Sequence, residues 1–457
     1  MKSKKIVVLL KYFKGALNPF DGAALEVALE SGAKEIVALS MSPKFALPSF
    51  QALTRLGVRC VFITDAIYAG SDTQATSLVL AEAIRRLNPD LVFCGRQSVD
   101  GDTAQVPPML SQRLDFDLKT KAIRFDGENI TLRNGESFVP TDKTIITFEK
   151  MKTLRFPSIF SRLGEVEIWD NSVLGLPIEG CGLNGSPTRV VRSYESNVGR
   201  RNCQFVAVDK LDEIIRKSLK KQRVAQMPIG AEKLTECYFV GNVRNVAESI
   251  SKRAVEIDIN GKTIEEIAKY LQEKDVKTVL WEDSERLKIF ASKVAVLTGA
   301  GLCADCISFR VENEKFIMTR PALGGNVTAD IVATSKMAFA TVRTLKNDSS
   351  EVIFSVGKGA IEQIDKIEKL AKKYNAEVCC SRIVADSGKL PYEKQVGLTG
   401  RTVCPKVYVA FGISGAVQHT CAIAGVNTVI AVNIDKQARI FDYADYGIIT
   451  EVENVKL

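Results

Sequence analysis

The chain has 457 residues, 46% of them hydrophobic and 25% charged, with 62 Lys+Arg against 54 Asp+Glu. Such a length holds roughly two to four domains, each with its own core. An excess of +8, with the basic residues scattered and no basic run interleaved with aromatics, speaks against nucleic acid as a partner. Eleven cysteines without regular spacing make no disulfide framework. Cys303-Ala-Asp-Cys306 lacks a second CxxC or a nearby histidine, so no metal is expected and the expected compartment is cytoplasmic.

The opening Met1-Lys-Ser-Lys-Lys-Ile-Val-Val-Leu-Leu-Lys11 has too few apolar residues for a signal sequence or a membrane span, and reads as a first buried strand. Strands are expected over 6–10, 35–40, 60–64 and 91–94, with helices over 23–31, 45–56 and 75–87 between them. That alternation predicts an α/β chain with parallel sheets flanked by helices. From 119 to 148 the pattern alternates around Asp126-Gly127 and Asn134-Gly135, predicting antiparallel hairpins. An irregular stretch follows over 174–187, then a basic amphipathic helix over 205–222 with a solvated charged face. Strands at 237–240 and 278–281 restart the α/β pattern, and the polar segment 343–351 is the expected linker to a last unit with strands at 352–356, 378–380, 407–411 and 429–432. The expected domains are 1–195, a connecting arm 196–234, 235–345, and a doubly wound domain 350–457.

The last unit carries two glycine loops, each between a strand and a helix. The first is Ser355-Val-Gly357-Lys358-Gly359; the second is Gly412-Ile-Ser414-Gly415-Ala-Val-Gln418-His419, which ends on the only histidine of the chain. Neither is a GxGxxG or a Walker motif. Two such loops at the carboxyl ends of strands on one sheet mark the crevice where open α/β sheets bind nucleotides. Around them lie Ser381-Arg382, the run Gln395 to Thr402, Asn433, Asp445-Tyr446 and Glu451. The set offers cations and glycine amides for a pyrophosphate, with an amide and a carboxylate for a ribose or adenine. No GxSxG elbow and no carboxylate pair with divided roles is visible, so the chain looks equipped to hold a dinucleotide and tune it rather than to hydrolyse.

Residues 352–457 resemble the flavin domain of the electron transfer flavoprotein α-subunit. The likeness runs through Gln395-Val-Gly-Leu-Thr-Gly-Arg-Thr-Val-Cys-Pro-Lys-Val-Tyr-Val-Ala-Phe-Gly-Ile-Ser-Gly-Ala-Val-Gln-His419, Asn433-Ile-Asp and Ala444-Asp-Tyr-Gly447. Residues 1 to 195 are similar to the β-subunit through Asn18-Pro19, Gly95-Arg-Gln97-Ser-Val-Asp100-Gly-Asp102-Thr-Ala-Gln105-Val and Gly185-Ser-Pro187-Thr-Arg. Residues 235 to 345 resemble a shortened first α-domain, marked by Thr319-Arg320-Pro-Ala-Leu-Gly324-Gly-Asn326, so the chain looks like a β–α fusion with adenine-nucleotide-hydrolase-like sheets. The resemblance implies FAD along Lys358, Ser381, Arg382, Val396, Gly397, Leu398, Thr399, Ser414, Gly415, Ala416, Val417, Gln418, His419, Asn433 and Glu451. It further implies that Arg382 packs near the isoalloxazine, that Thr399 offers its hydroxyl to flavin N5, and that His419 faces O2. A positive or hydrogen-bond-donating group there favours the flavin when it takes on negative charge. Leu398 stands where the family usually has Gln, and Lys358 where it often has Arg.

The β-like half implies a second nucleotide site at Leu9, Asn18, Pro19, Phe20, Asp21, Met41, Gly95, Asp100, Gly101, Asp102, Thr103, Ala104, Gln105 and Val106. One branch of the family holds AMP there; another, which bifurcates electrons, holds a second FAD reduced by NADH. Asp100 to Val106, Gly70-Ser71-Asp72-Thr73-Gln-Ala75-Thr76 and Arg320 to Asn326 look like the second branch. Against that branch stand the short segment between Lys11 and Asn18 and the trimmed first α-domain, and Phe20 resembles the AMP type. The family docks dehydrogenases through an apolar anchor on a loop, and the matching stretch is Leu154-Arg155-Phe156-Pro157-Ser158-Ile159-Phe160, with a buried core segment as the alternative. The implied function is an electron carrier between a flavin dehydrogenase of the acyl-CoA dehydrogenase type, as in fatty acid β-oxidation, and an acceptor such as a quinone oxidoreductase or ferredoxin. NADH-oxidising bifurcation and a non-redox nucleotide-binding sensor of the universal-stress type are the alternatives.

Overall fold

A computed structural model describes residues 1–195, 199–220, 232–313, 315–343 and 350–455. Parts of the expected arm (196–198, 221–231) and most of the expected linker (344–349) lie outside them. The chain divides into two compact units. One comprises Met1–Ser193, Ile229–Leu323 and Ala329–Val342; the other comprises Tyr194–Pro228, Gly324–Thr328 and Arg343–Leu457.

Two main sheets build the first unit, which also carries smaller antiparallel pairings, Ser308–Glu312 with Lys315–Ala322 and Tyr12–Phe13 with Ala16–Leu17. Its larger sheet has nine strands in the order Glu167–Trp169, Arg59–Ile63, Glu35–Met41, Lys5–Leu9, Leu91–Gly95, Thr144–Phe148, Asp117–Phe125, Ile130–Leu132 and Ser137–Phe138. Strand Lys5–Leu9 lies parallel between Glu35–Met41 and Leu91–Gly95, and the chain winds outward from it in both directions. The direction of winding therefore reverses between Leu9 and Gly95, which opens a crevice at their carboxyl ends. Alternate residues feed separate cores on the two faces: Ile6, Val8 and Phe93 on one, Val7, Leu9 and Val92 on the other. The smaller sheet is ordered Ala254–Glu256, Cys237–Val240, Thr278–Glu282, Ala338–Val342 and Gly301–Cys306. Met109, from helix Val106–Leu114, packs into the core of that second sheet.

Two local expectations are corrected. Residues 45–56 do not form one helix but a short 3₁₀ turn, helix Leu47–Gln51 and a second 3₁₀ turn. Pro48 can occupy only the first turn of a helix, so a new helix has to start at Leu47. Within 119–148 the segments Ile130–Leu132 and Ser137–Phe138 pair antiparallel as expected. Thr144–Phe148, however, runs parallel to both of its neighbours, being inserted between Leu91–Gly95 and Asp117–Phe125.

The second unit is built on a six-stranded parallel sheet ordered Gln204–Phe205, Tyr446–Ile449, Thr428–Asn433, Val407–Phe411, Val352–Val356 and Glu377–Cys380. The five C-terminal strands thus have the doubly wound order 2-1-3-4-5, with the switch point between Val356 and Phe411. Helix Leu211–Leu219 buries Leu211, Ile214 and Ile215 on the face that also carries Val407, Val409 and Phe411. The helical reading of 205–222 therefore holds for 211–219, while Gln204–Phe205 is an edge strand and 221–222 lie outside the described residues. Tyr408 and Ala410 face the opposite core with Val396, Ala422 and Ile423.

Candidate functional site

In the second unit both glycine loops reach the switch point, and their lack of side chains lets them interlock. The amide of Gly359 donates to the Gly412 carbonyl at 3.0 Å, and that of Gly357 to the Phe411 carbonyl at 2.8 Å. A Cβ on Gly357 would lie 2.2 Å from the Gly412 carbonyl oxygen. Gly415, at φ +85°, would place a Cβ 2.0 Å from the Ile440 amide nitrogen, so only glycine fits there. Lys358 and Ser414 are exposed at this edge, Asn433 donates to the Ile413 carbonyl at 2.9 Å, and Glu451 is exposed just past strand Tyr446–Ile449.

The loop after Gln395 is tied to two of these strand ends. Val396 donates to the Cys380 carbonyl at 2.8 Å, and Leu398 to the Gln418 carbonyl at 2.6 Å. This brings the segments bearing Arg382, Thr399 and His419 to one edge of the sheet. Buried Gln395, which opens the run to Thr402 without a role of its own in the sequence, donates from Nε2 to Thr399 Oγ1 at 2.8 Å. Arg382 opens helix Arg382–Asp386 and pairs with Asp386 at 3.3 Å, a half-exposed contact worth no more than ~1 kcal/mol.

His419 is buried in the single turn Val417–Thr420, with Nε2 at 2.8 Å from the Tyr408 hydroxyl. Burial pushes the imidazole down to about 4, with a small opposing pull from the Val396 carbonyl. At neutral pH the ring is therefore uncharged, and of the two effects open to this residue, a positive charge or a donated hydrogen bond, only the second is available to it. In the sequence Tyr408 reads only as part of the apolar strand that leads into the glycine loop; its spacing of eleven residues before the only histidine carries no signal of its own.

The donor set fits FAD. Two polar atoms at this edge, Ser381 Oγ and His419 Nδ1, are buried and make no hydrogen bond. Buried polar atoms are paired in folded proteins unless a ligand or water completes them. The glycine cradle lies beside them, at the place in the sheet where dinucleotides bind.

The first unit contains a cavity of about 990 Å³ at its own switch point. Leu9, Asn18, Asp21, Met41, Gly95, Gly101 and Thr103 to Val106 line it, as do Lys11, Tyr68, Arg96, Gln97 and the run Gly70 to Thr73 with Thr76. Four expected residues, Pro19, Phe20, Asp100 and Asp102, are not among those that line it. Pro19 and Phe20 begin helix Pro19–Glu30, where Phe20 is buried with Arg96 over its ring at 5.8 Å. Asp100 is committed to Lys11 at 2.8 Å, and Asp102 accepts from Gln97 Nε2 at 2.9 Å. These four hold the residues that do line the cavity.

Asp21 lies at the mouth of the crevice. One carboxylate oxygen accepts from the Lys11 amide at 2.8 Å, the other from the Gly95 amide at 2.9 Å. Burial pushes its carboxyl up to about 7, against the pull of these hydrogen bonds. Gly95 has no substitute here, because a Cβ would sit 2.3 Å from Asp21 Oδ1. Asp102 and Ala104 both hold positive φ, of 51° and 54°, and Arg320 Nη1 donates to the Gly101 carbonyl at 2.6 Å, which braces this strained loop.

The stretch 154–160 is not core: Phe156 is 95% exposed, Ile159 84% and Phe160 87%. Its backbone is nonetheless pinned. Arg155 forms a forked pair with buried Glu26 through Nη2 at 2.6 Å and Nε at 2.9 Å, and Arg55 donates to the carbonyls of Ser158 at 3.0 Å and Ser161 at 3.2 Å. Exposed aromatics on a held loop form the kind of apolar surface that marks an interaction site.

Comparison with known proteins agrees with this geometry. The profile described as "Electron transfer flavoprotein domain" matches residues 6–135 and 250–369, and "Electron transfer flavoprotein FAD-binding domain" matches 347–424. "Electron transfer flavoprotein subunit beta" of Thermoanaerobacterium thermosaccharolyticum is 33% identical over 201 residues, 40% of this chain and 77% of that protein. "Protein FixA" of Azorhizobium caulinodans is 34% identical over 234 residues, 45% of this chain and 83% of its own. "Protein FixB" of Rhizobium meliloti is 28% identical over 208 residues, 35% of this chain, and the match spans only 59% of its length. Both kinds of domain occur here in one polypeptide, and the chain belongs to the electron transfer flavoprotein family.

Proposed function

We propose that this chain is a one-polypeptide electron carrier which takes electrons from a flavin dehydrogenase of the acyl-CoA dehydrogenase type and passes them to a second redox partner. The observation that carries the reading is the pair of orphaned buried atoms, Ser381 Oγ and His419 Nδ1, beside interlocked glycine loops at the switch point. FAD, when bound, supplies the redox chemistry. The protein's part is to hold and tune it: amides of the glycine loops, Ser414 and Lys358 for the pyrophosphate, Asn433 and Glu451 for the ribose and adenine. Val396 to Leu398 and Ala416 to Gln418 would form the walls on either side. Arg382 and Thr399 would meet the isoalloxazine, and neutral His419 would donate a hydrogen bond to its pyrimidine end. Such donors act on negative charge in a site that excludes water, where they count for more than in bulk solvent. Phe156, with Ile159 and Phe160 beside it, is the proposed anchor for the dehydrogenase.

The second cavity supports a second reading, in which the chain bifurcates electrons from NADH with FAD in both sites. Its volume of about 990 Å³ is at the upper end of ligand pockets, and Gly70 to Thr73 with Thr76 extend its wall beyond the residues needed for a mononucleotide. A relative named "Caffeyl-CoA reductase-Etf complex subunit CarD", from Acetobacterium woodii, is 32% identical over 196 residues. Extraction and chromatography of the bound nucleotides separates the two readings. Two FAD per chain supports bifurcation; one FAD with one AMP supports the simple carrier; protein without flavin overturns both.

A further inference from the structure

The bond between Tyr408 and His419 defines how the only histidine is presented. The two atoms lie 2.8 Å apart, both residues are buried, and Nδ1 on the other side of the ring has no partner. One proton has to serve the short contact, from either the hydroxyl or Nε2. On the face that carries Tyr408 lie the Ser355 hydroxyl, from the adjoining strand Val352–Val356, and the Cys379 thiol, from the strand beyond it; Cys380 is nearby but turned to the opposite core. Burial holds Cys380 as a thiol, pushed up to about 11, and burial likewise keeps the phenol protonated. No charge therefore arises from these groups to draw a second proton onto the ring. The Val396 carbonyl lies near enough to the imidazole to favour its protonation but makes no hydrogen bond to Nδ1, which is left without a protein partner while Nε2 is engaged by Tyr408.

We propose that Tyr408 is a positioning residue: its hydroxyl donates into Nε2 of His419, locks the ring neutral with its proton on Nδ1, and presents that N–H as a directed donor to the bound flavin. The inference rests on the proposed FAD site, but it concerns a residue eleven positions upstream of the histidine and the tautomer it selects. A flavin's pyrimidine end carries carbonyl acceptors, so the Nδ1–H tautomer can be satisfied by the ligand whereas a bare Nδ1 would oppose it lone pair to lone pair. Orienting a ring through the nitrogen that does not touch the ligand is the general means of choosing its tautomer.

A chain with one histidine allows a direct test. Full-length protein labelled with nitrogen-15 histidine gives one imidazole, observed with flavin bound and after its removal. The expected spectrum at neutral pH has a protonated Nδ1 and a bare Nε2 in both samples, and the Nδ1 signal shifts when flavin is removed. Tyr408→Phe should lose the single tautomer and show both. A cationic ring, an Nε2–H tautomer in the unaltered protein, an Nδ1 signal indifferent to flavin, or an unchanged tautomer in Tyr408→Phe would each overturn the proposal. The unaltered protein decides the tautomer even if the variant fails to fold. Should the purified chain carry no flavin, the FAD reading fails separately, and the spectrum still reports what Tyr408 does.

Discussion

Asp21 and His419 are buried titratable groups with opposite pH dependence. His419 is held down to about 4, so the unfolded chain takes up its proton near pH 6.5 while the folded one resists. Its contribution to stability is present above about pH 6.5 and is lost as pH falls through about 4, on the order of 3 kcal/mol in total. Asp21 is held up to about 7, so its contribution is full below about pH 4 and is lost as pH rises through about 7. The two slopes oppose each other in the same window, so the total curve hides both. The difference in urea midpoint between His419→Gln and the unaltered protein isolates one of them. It should narrow as pH falls from about 6.5 to about 4, and a constant difference would contradict the assignment. Asp21→Asn should cost ~1–3 kcal/mol by denaturant titration, because one amide oxygen cannot accept from both the Lys11 and Gly95 N–H groups. At this scale the sequence was informative where a residue is rare or sits in a glycine loop, as His419 and Gly95 do. Tyr408 and Gln395 act through side-chain pairs, with His419 and Thr399, that only the folded geometry of the strand end and loops brings together.

Among the elements, the loop over 152–164 joins two properties that seldom coincide: an apolar tip in water and a backbone held by side chains from elsewhere in its unit. Arg155 with Glu26, and Arg55 with the carbonyls of Ser158 and Ser161, fix it before any partner arrives. Pre-organisation of this kind lowers the ordering cost of association. Phe156→Ala should slow flavin reduction by the dehydrogenase about tenfold or more while leaving flavin content and thermal stability unchanged; unaltered stopped-flow kinetics would refute the anchor. Strands and helices in the same unit were legible wherever hydrophobic period was regular, as at Lys5–Leu9 and Thr73–Leu87. The parallel direction of Thr144–Phe148 was not, because alternation reports which face is buried and not which way a distant neighbour runs. The broken helix at 45–56 was legible in principle: Pro48 forbids an uninterrupted one.

For the whole molecule, the first unit gathers two mainly parallel sheets whose sequences lie on either side of the expected arm, and the second unit recruits Gln204–Phe205 and Leu211–Leu219 from the middle of the chain. The order of the sheets puts a switch point at each of two places, one marked by the interlocked loops of Gly357 and Gly412, the other by the cavity beside Leu9 and Gly95. The motifs around both were readable in sequence; which side chains line the cavity and which brace its lining was not, as Asp100 and Asp102, paired with the lining residues Lys11 and Gln97, demonstrate. Among the described residues no helix is long and apolar enough to cross a membrane. The measurement that bears most directly on the account is an anaerobic titration of the purified chain followed through its flavin spectrum. With a catalytic amount of an acyl-CoA dehydrogenase and its acyl-CoA, the flavin should be reduced, and without the dehydrogenase it should remain oxidised. A chain that carries no flavin, or whose flavin no such dehydrogenase reduces, would contradict it.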